Sequence, residues 1–530
     1  MAKRKIVILG GALSGPTAAA RARETDFDAK IVVLERAKAV SYAVGGLPYY
    51  LSREVDTRND LAPMRAKFFR QNYDVDVRTG VSVTRFDAAK RKVYTDSGVF
   101  PYDSLIYALG AGSVVPPVFG DGATNLSFLR SPAHLARIDG LLAKGAKRVA
   151  IVGGGYYGVE AADCLARRGL EVTLLERGPQ LLPEFSTSAA GRAAAALEQG
   201  GVQVRLNSAV DTVHRKGRRI VALGVGADRV DADMVLITAG VQPRTEIFTA
   251  AGGRTLRDGS IRVDDRCATN LEGVFATSIC VSHAHAITRK PMWTAQASDA
   301  DKTAQVAGEN AAGGDARLGP TLGTSILRAG ELHVARTGLT AIGGRDGVRR
   351  IVVAGHSCDS FFRGSQALDI SLYYASKSER VVGAEVVGFG GVDKRVDVLA
   401  TAIMGKLKLV QLAQLDLAYS PPYSTARDII NTAGGIAQHA SEVRAWDLAD
   451  FGQRPKATIV FDLREPALRK ASPLVATIVS LNKLADHRRA IKRARRVIFV
   501  CETGRSSYLA ARRAKQMGCA DAGYVSGGLR

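Results

Sequence analysis

The sequence predicts an α/β protein of several domains. Three observations point there. Short apolar runs of strand length end in glycine turns and lead into helix-forming stretches, and a second copy of this unit begins about 145 residues after the first. A chain of 530 residues is also too long for a single core.

The first unit opens with Lys5-Ile6-Val7-Ile8-Leu9, turns at Gly10-Gly11-Ala12-Leu13-Ser14-Gly15, continues into an Ala-rich helix, and returns through Ile31-Val32-Val33-Leu34 to Glu35. Strand, glycine turn, helix, strand and acid is the order of a βαβ dinucleotide-binding unit, a Rossmann-like arrangement. Gly10, Gly11 and Gly15 let the backbone approach a pyrophosphate, and the helix N-terminus adds amide donors and a positive dipole. Glu35 is spaced to accept from ribose hydroxyls, while Ala12 stands where a central glycine is expected. The second unit is more complete. Val149-Ala150-Ile151-Val152 leads into Gly153-Gly154-Gly155-Tyr156-Tyr157-Gly158, a helix holding Glu160, and Val172-Thr173-Leu174-Leu175-Glu176. Two units imply two dinucleotides, and a flavin nucleotide with a nicotinamide nucleotide, NADH or NADPH, is the usual pair. Glu176 favours a free 2′-hydroxyl and hence NADH, whereas Arg177 beside it would attract a 2′-phosphate.

Two further strands, 104–109 and 233–239, end at Gly110 and Gly240, each followed by a proline-bearing turn where the chain crosses between domains. Beyond Gly323 the pattern changes to strands such as 370–374, a helix from about 393 to 406, and the turn Tyr419-Ser420-Pro421-Pro422-Tyr423. Asn431-Thr432-Ala433-Gly434-Gly435 reads as the start of a linker. Two more apolar strands open at Ile459 and Val497.

Composition narrows the class. Hydrophobic and charged fractions of 46% and 23% suit a folded globular protein. No apolar run reaches the length of a membrane span, and the basic, apolar opening runs directly into a glycine turn, so a cytoplasmic protein without a membrane partner is expected. The six cysteines form no CxxC, which argues against structural zinc, a disulfide framework and a simple dithiol centre; no metal is expected. The formal charge is +22, and residues 435–530 hold 18 Lys and Arg against 8 Asp and Glu. The densest run, 487–496, reads either as a solvated helix face or as a basic C-terminal surface for an anionic partner, of which CoA phosphates or an acidic protein are preferred and nucleic acid is not expected.

The stretch Ser41-Tyr42-Ala43-Val44-Gly45-Gly46-Leu47-Pro48-Tyr49-Tyr50 resembles the active-site segment of CoA-disulfide reductases and of their fusions with rhodanese, the NADH-dependent persulfide reductases. The stretches 334–340, 392–397 and 416–423 resemble the interface domain of the same pyridine nucleotide-disulfide oxidoreductase family. The resemblance implies a homodimer acting on a small thiol, CoA or persulfide-type substrate. It implies an FAD-binding domain at 1–115 and 242–320, an NAD(P)H-binding domain at 116–241, and an α+β dimerisation domain at 321–435. By that pattern Tyr156 gates the nicotinamide pocket and Tyr419 reaches the partner's active site. Three positions depart from the pattern. Gly45 replaces the redox cysteine, with Val44 in place of the asparagine before it; Ile279 replaces an acid that binds the ribityl chain; and Phe361 or Phe362 replaces a tyrosine.

The loop Cys501-Glu502-Thr503-Gly504-Arg505-Ser506-Ser507 follows an apolar strand and precedes a helix, where backbone N–H groups and the helix dipole favour a thiolate; Arg505 adds positive charge. With Ser526-Gly527-Gly528 this resembles a rhodanese-like α/β domain at 440–530, with Cys501 as its nucleophile. A glycine at 45 cannot form a mixed disulfide. The expected function is therefore an FAD-dependent NAD(P)H oxidoreductase lacking the redox cysteine, with a sulfurtransferase domain; the alternative is a non-catalytic subunit or scaffold that retains the fold.

Overall fold

The computed structural model describes residues 3–340, 347–440 and 442–529, so 1–2, 341–346, 441 and 530 of the expected domains lie outside it. The chain forms two compact units, one of residues 1–183 with 190–323, the other of 184–189 with 324–530.

The first unit holds two five-stranded sheets of the same construction. In one, strand Lys5–Leu9 pairs in parallel with Lys30–Glu35 on one side and Ser104–Tyr107 on the other, with Val75–Thr79 and Val274–Ala276 at the edges. In the second, Arg148–Val152 lies between Glu171–Leu175 and Met234–Ile237, with Gln203–Arg205 and Leu126–Phe128 outermost, again all parallel. In each central strand every residue after the first is buried, as a strand covered on both faces requires. The helices Ser14–Thr25 and Tyr156–Arg167 begin at the carboxyl ends of the central strands. These ends mark the crevice where sheets of this kind bind ligands. A short antiparallel pair, Ala111–Ser113 with Val241–Pro243, links the segments that cross between the sheets. Helix Ala297–Ala311 packs on Ser14–Thr25 through alanines and through Gly308, whose absent side chain leaves room for the Ala18 carbonyl.

The second unit has one antiparallel and one parallel five-stranded sheet. The antiparallel sheet runs in the order 325–329, 332–338, 381–388, 367–375, 348–356. Helix Val392–Met404 lies on it. The parallel sheet runs 444–446, 522–525, 496–500, 458–462, 477–478. Ser526 joins the two: its hydroxyl accepts from Val352 N at 2.7 Å and donates to Val352 O at 3.1 Å.

The expected linker at 431–435 is instead the middle of a helix, Ile429–Gln438. The Asp428 carboxylate caps it by accepting from Ile430 N at 3.0 Å. Gly434 is buried where this helix crosses Leu409–Ala413, and a Cβ there would sit 2.6 Å from Ala413 N. The glycine that reads as a chain break is a close-packing position.

Candidate functional site

Both glycine turns have the same geometry. Gly10 and Gly153 adopt φ of 105° and 109°, in the region that favours glycine, and a Cβ on Gly15 or Gly158 would collide with the Gly10 or Gly153 carbonyl. The acid that ends each second strand folds back onto its own turn. Glu35 accepts from Gly11 N at 2.6 Å and Ala37 N at 2.7 Å; Glu176 accepts from Gly154 N and Gly178 N, each at 2.7 Å. Each carboxylate is thereby aimed, with lone pairs left over for ribose hydroxyls. A Cβ on Gly155 would meet nothing within 4 Å, which explains why Ala12 is tolerated at the matching place in the first turn. Two such cradles, each with helix amides and an oriented acid, fit the two dinucleotides.

Around the first cradle, Gly45 is exposed in a short 3₁₀ turn, Val44–Gly46, and a Cβ built on it would meet nothing within 4 Å. Tyr49, four residues beyond Gly45, donates to Glu160 Oε1 at 2.9 Å, and Tyr50 to Asp139 Oδ2 at 2.7 Å. Glu160 is thus held by the segment around Gly45. Ile279 lies beside Gly110, 3.6 Å from where a Cβ would stand, and its carbonyl accepts from Trp293 Nε1 at 2.9 Å. Ser278 before it has φ of 78°, a strained value for a residue with a side chain. Gly240, at φ of 117°, ends the corresponding strand of the second sheet. Tyr156 is the first residue of the helix that opens from the second cradle.

Burial pushes the Cys280 thiol up to about 12, and its Sγ donates to the Thr277 carbonyl at 3.1 Å. Cys267 is raised too, first by burial and then by Asp264. All six cysteines are buried.

Tyr419, Cys501 and Arg505 belong to the second unit. Tyr419 is 49% exposed and donates to Asp359 Oδ2 at 2.8 Å. Cys501 follows strand Arg496–Val500, and its Sγ accepts from Gly504 N at 3.1 Å and Ser507 N at 3.3 Å. The thiol donates to Ser507 Oγ at 3.3 Å, which donates to the Gly504 carbonyl at 3.0 Å. These amides point at the sulfur as they would at an anion. Arg505 starts helix Arg505–Gln516 and is exposed, with no hydrogen bond to the thiol among the described residues. The basic run forms helix Arg488–Arg493, with Arg488, Arg489, Lys492, Arg493 and Arg495 all exposed. It lies before strand Arg496–Val500 and Cys501 after it, so about 16 Å of strand separates the two.

The backbone amides expected to face Cys501 are those of Gly504 and Ser507; sequence reasoning missed three arginines whose charge acts on Tyr42, Arg36, Arg130 and Arg244. Arg36 directly follows Glu35, the one signal that was available. Among the described residues no cluster of His, Cys, Asp and Glu is grouped to hold a metal, and no helix is long and apolar enough to cross a membrane.

Comparison with known proteins agrees with this geometry. An NADH oxidase of Methanocaldococcus jannaschii is 28% identical over 443 residues, covering 81% of this chain and 97% of its own. Reduced CoADR-RHD of Bacillus anthracis superposes with a TM-score of 0.93 at 26% identity, covering 100% of this chain and 97% of its own. An NAD-dependent persulfide reductase from A. fulgidus superposes at 0.91 with 27% identity, covering 99% of each chain. Residues 4–300 match the pyridine nucleotide-disulphide oxidoreductase family, and the chain belongs to that family of enzymes, oxidoreductases that depend on FAD and a nicotinamide dinucleotide.

Proposed function

We propose that this chain oxidises NADH, or NADPH, and passes the electrons to an acceptor by a route that uses no thiol at position 45. The observation that carries this reading is the pair of matching cradles beside a Gly45 with open space in front of it. FAD supplies the redox chemistry when bound. The chain's own residues bind and orient: Gly10, Gly11 and Gly15 with Glu35 hold one dinucleotide, and Gly153, Gly155 and Gly158 with Glu176 the other. Gly110 and Gly240 end the crossing strands and leave room for the cofactors, and Tyr49 fixes Glu160 between the cradles. The aimed Glu176 favours NADH. Relatives named as CoA disulfide reductase and CoA persulfide reductase support a CoA or persulfide-type substrate.

The domain scheme proposed is FAD-binding at 1–115 and 242–320, NAD(P)H-binding at 116–241, dimerisation at 321–435 and rhodanese-like at 440–530. Exposed Phe361, Tyr419 and Tyr423 in the third of these support a homodimer. The amide-lined sulfur of Cys501 supports a persulfide carrier in the fourth. Flavin content tests the main reading. Purified full-length protein should show flavin absorbance or acquire it from added FAD. Protein that neither carries nor takes up flavin refutes the reading and leaves the non-catalytic scaffold. For the C-terminal domain, transfer of sulfur from thiosulfate to cyanide should disappear in Cys501→Ser. Equal rates in both proteins, or none in either, would leave that domain as a basic docking surface.

A further inference from the structure

One face of helix Pro132–Ala143 borders a cavity that includes no residue of either glycine turn. The cavity measures about 590 Å³, within the range of small-molecule sites. Arg137, Gly140, Leu141 and Lys144 line it at the three- and four-residue steps that fall on one helix face. The loop 120–124 forms another wall, and Arg218 joins from the turn between strands Thr212–Lys216 and Arg219–Val225. Leu126, Phe128 and Leu141 give the cavity an apolar part, and the two leucines are buried.

Arginines fix the loop wall through its carbonyls. Arg215 donates to Phe119 O and, at 3.2 Å, to Asp121 O; Arg218 Nε donates to Gly122 O at 3.1 Å, and Arg137 Nη2 to Ala123 O at 2.7 Å. Gly120 and Gly122 hold φ of 44° and 78°, in the region that favours glycine, so the course of the loop is set by backbone geometry as well. Arg137 and Arg218 each spend one N–H on this wall and keep the rest of a five-donor fork. Among the described residues no carboxylate pairs with Arg137, Arg218 or Lys144. Asp121 is the one acid of the lining, so three cations against one carboxylate leave two positive charges in excess. Gly140 is a separate observation. Glycine is a poor helix former, yet it stands inside this helix where a Cβ would meet nothing within 4 Å. No packing demand accounts for it, and its missing side chain keeps the cavity open.

We propose that this cavity is a binding site for a small organic dianion, a phosphate monoester with an apolar body, separate from both dinucleotide sites. A phosphate monoester carries about two negative charges at neutral pH, which matches the excess. The guanidinium forks of Arg137 and Arg218 suit its oxygens in pairs, and Lys144 adds a point charge at the end of the helix. The apolar body lies on Leu126, Phe128 and Leu141. The three cations are exposed, so water screens each contact and the site holds its ligand reversibly.

The test is a calorimetric titration of the full-length protein with 1-naphthyl phosphate, with FAD and NAD⁺ in excess so that the probe cannot occupy the glycine turns. Wild type should bind one probe per chain with a Kd below about 1 mM, the efficiency usual for a ligand of this size. Binding should weaken severalfold from about 0.1 to about 1 M NaCl, where the screening length falls from about 10 to about 3 Å. Uncharged 1-naphthol should bind at least about tenfold more weakly than the phosphate. Lys144→Gln and Arg218→Gln, both changes at exposed side chains, should each raise the Kd about fivefold or more. Gly140→Leu should abolish binding by filling the cavity, while its thermal midpoint stays at or above that of wild type because leucine is the better helix former. Should Gly140→Leu unfold at a lower temperature, the two charge variants decide. Absence of binding below about 1 mM in wild type overturns the site. So do Kd values within twofold of wild type in both charge variants, or equal binding of the phosphate and the naphthol.

Discussion

His134, held against Arg130, gives a quantitative prediction. His134 Nδ1 accepts from Arg130 N at 3.2 Å, and its ring packs against Phe128. Burial first, then Arg130, Arg137 and Arg244, lower it from 6.5 to about 4. The unfolded chain therefore takes up a proton near pH 6.5, whereas the folded chain resists until about 4. Within that window the unfolded state binds more protons, so stability falls as the pH drops through it and levels off below the folded value. At about 1.4 kcal/mol per unit, acidification from pH 7 to pH 5 costs about 2 kcal/mol through this residue alone, an upper figure for a ring that is partly exposed. Urea unfolding of the first unit, followed at both pH values for wild type and His134→Asn, isolates the contribution. Wild type should lose more stability than the variant over this interval, by at most about 2 kcal/mol. Parallel losses in the two proteins, or a histidine that titrates near 6.5 by NMR in the folded chain, would refute the reasoning.

Other expected outcomes follow from single residues. Gly45→Cys should fold with stability within about 1 kcal/mol of wild type, because the new Cβ enters open space at an ordinary backbone angle, and its thiol should react with Ellman's reagent in the native protein while the six buried cysteines do not. Gly434→Ala should destabilise the second unit by about 1–3 kcal/mol in thermal unfolding despite its better helix propensity, since the added methyl meets the Ala413 backbone. Gly435→Ala next to it should be neutral or stabilising, because only the far end of Arg427 must move. Removing Arg464, whose guanidinium pairs with Asp462 at 2.8 Å with both side chains 2% exposed, should cost about 3–5 kcal/mol by leaving a buried carboxylate alone. An Arg464→Leu protein with wild-type stability would contradict that.

The local units were fully legible in the sequence. Strand, glycine turn, helix and acid are neighbours along the chain, and each needs its residue types for reasons of backbone geometry alone, so Lys5 to Glu35 and Arg148 to Glu176 could be read directly. The Cys501 loop was legible for the same reason, being one strand end followed by one helix start. Tertiary structure alone decided the rest. Gly434 looked like a chain break because a glycine pair has the same local meaning in a linker as at a helix crossing, and only the helix lying against it distinguishes them. Arg36, Arg130 and Arg244 are scattered over more than 200 residues of a chain rich in arginine, and no spacing rule marks them. Their charges all act on Tyr42 because of where three strands end in space. Charge acts through distance, and distance between remote residues is what a sequence does not carry.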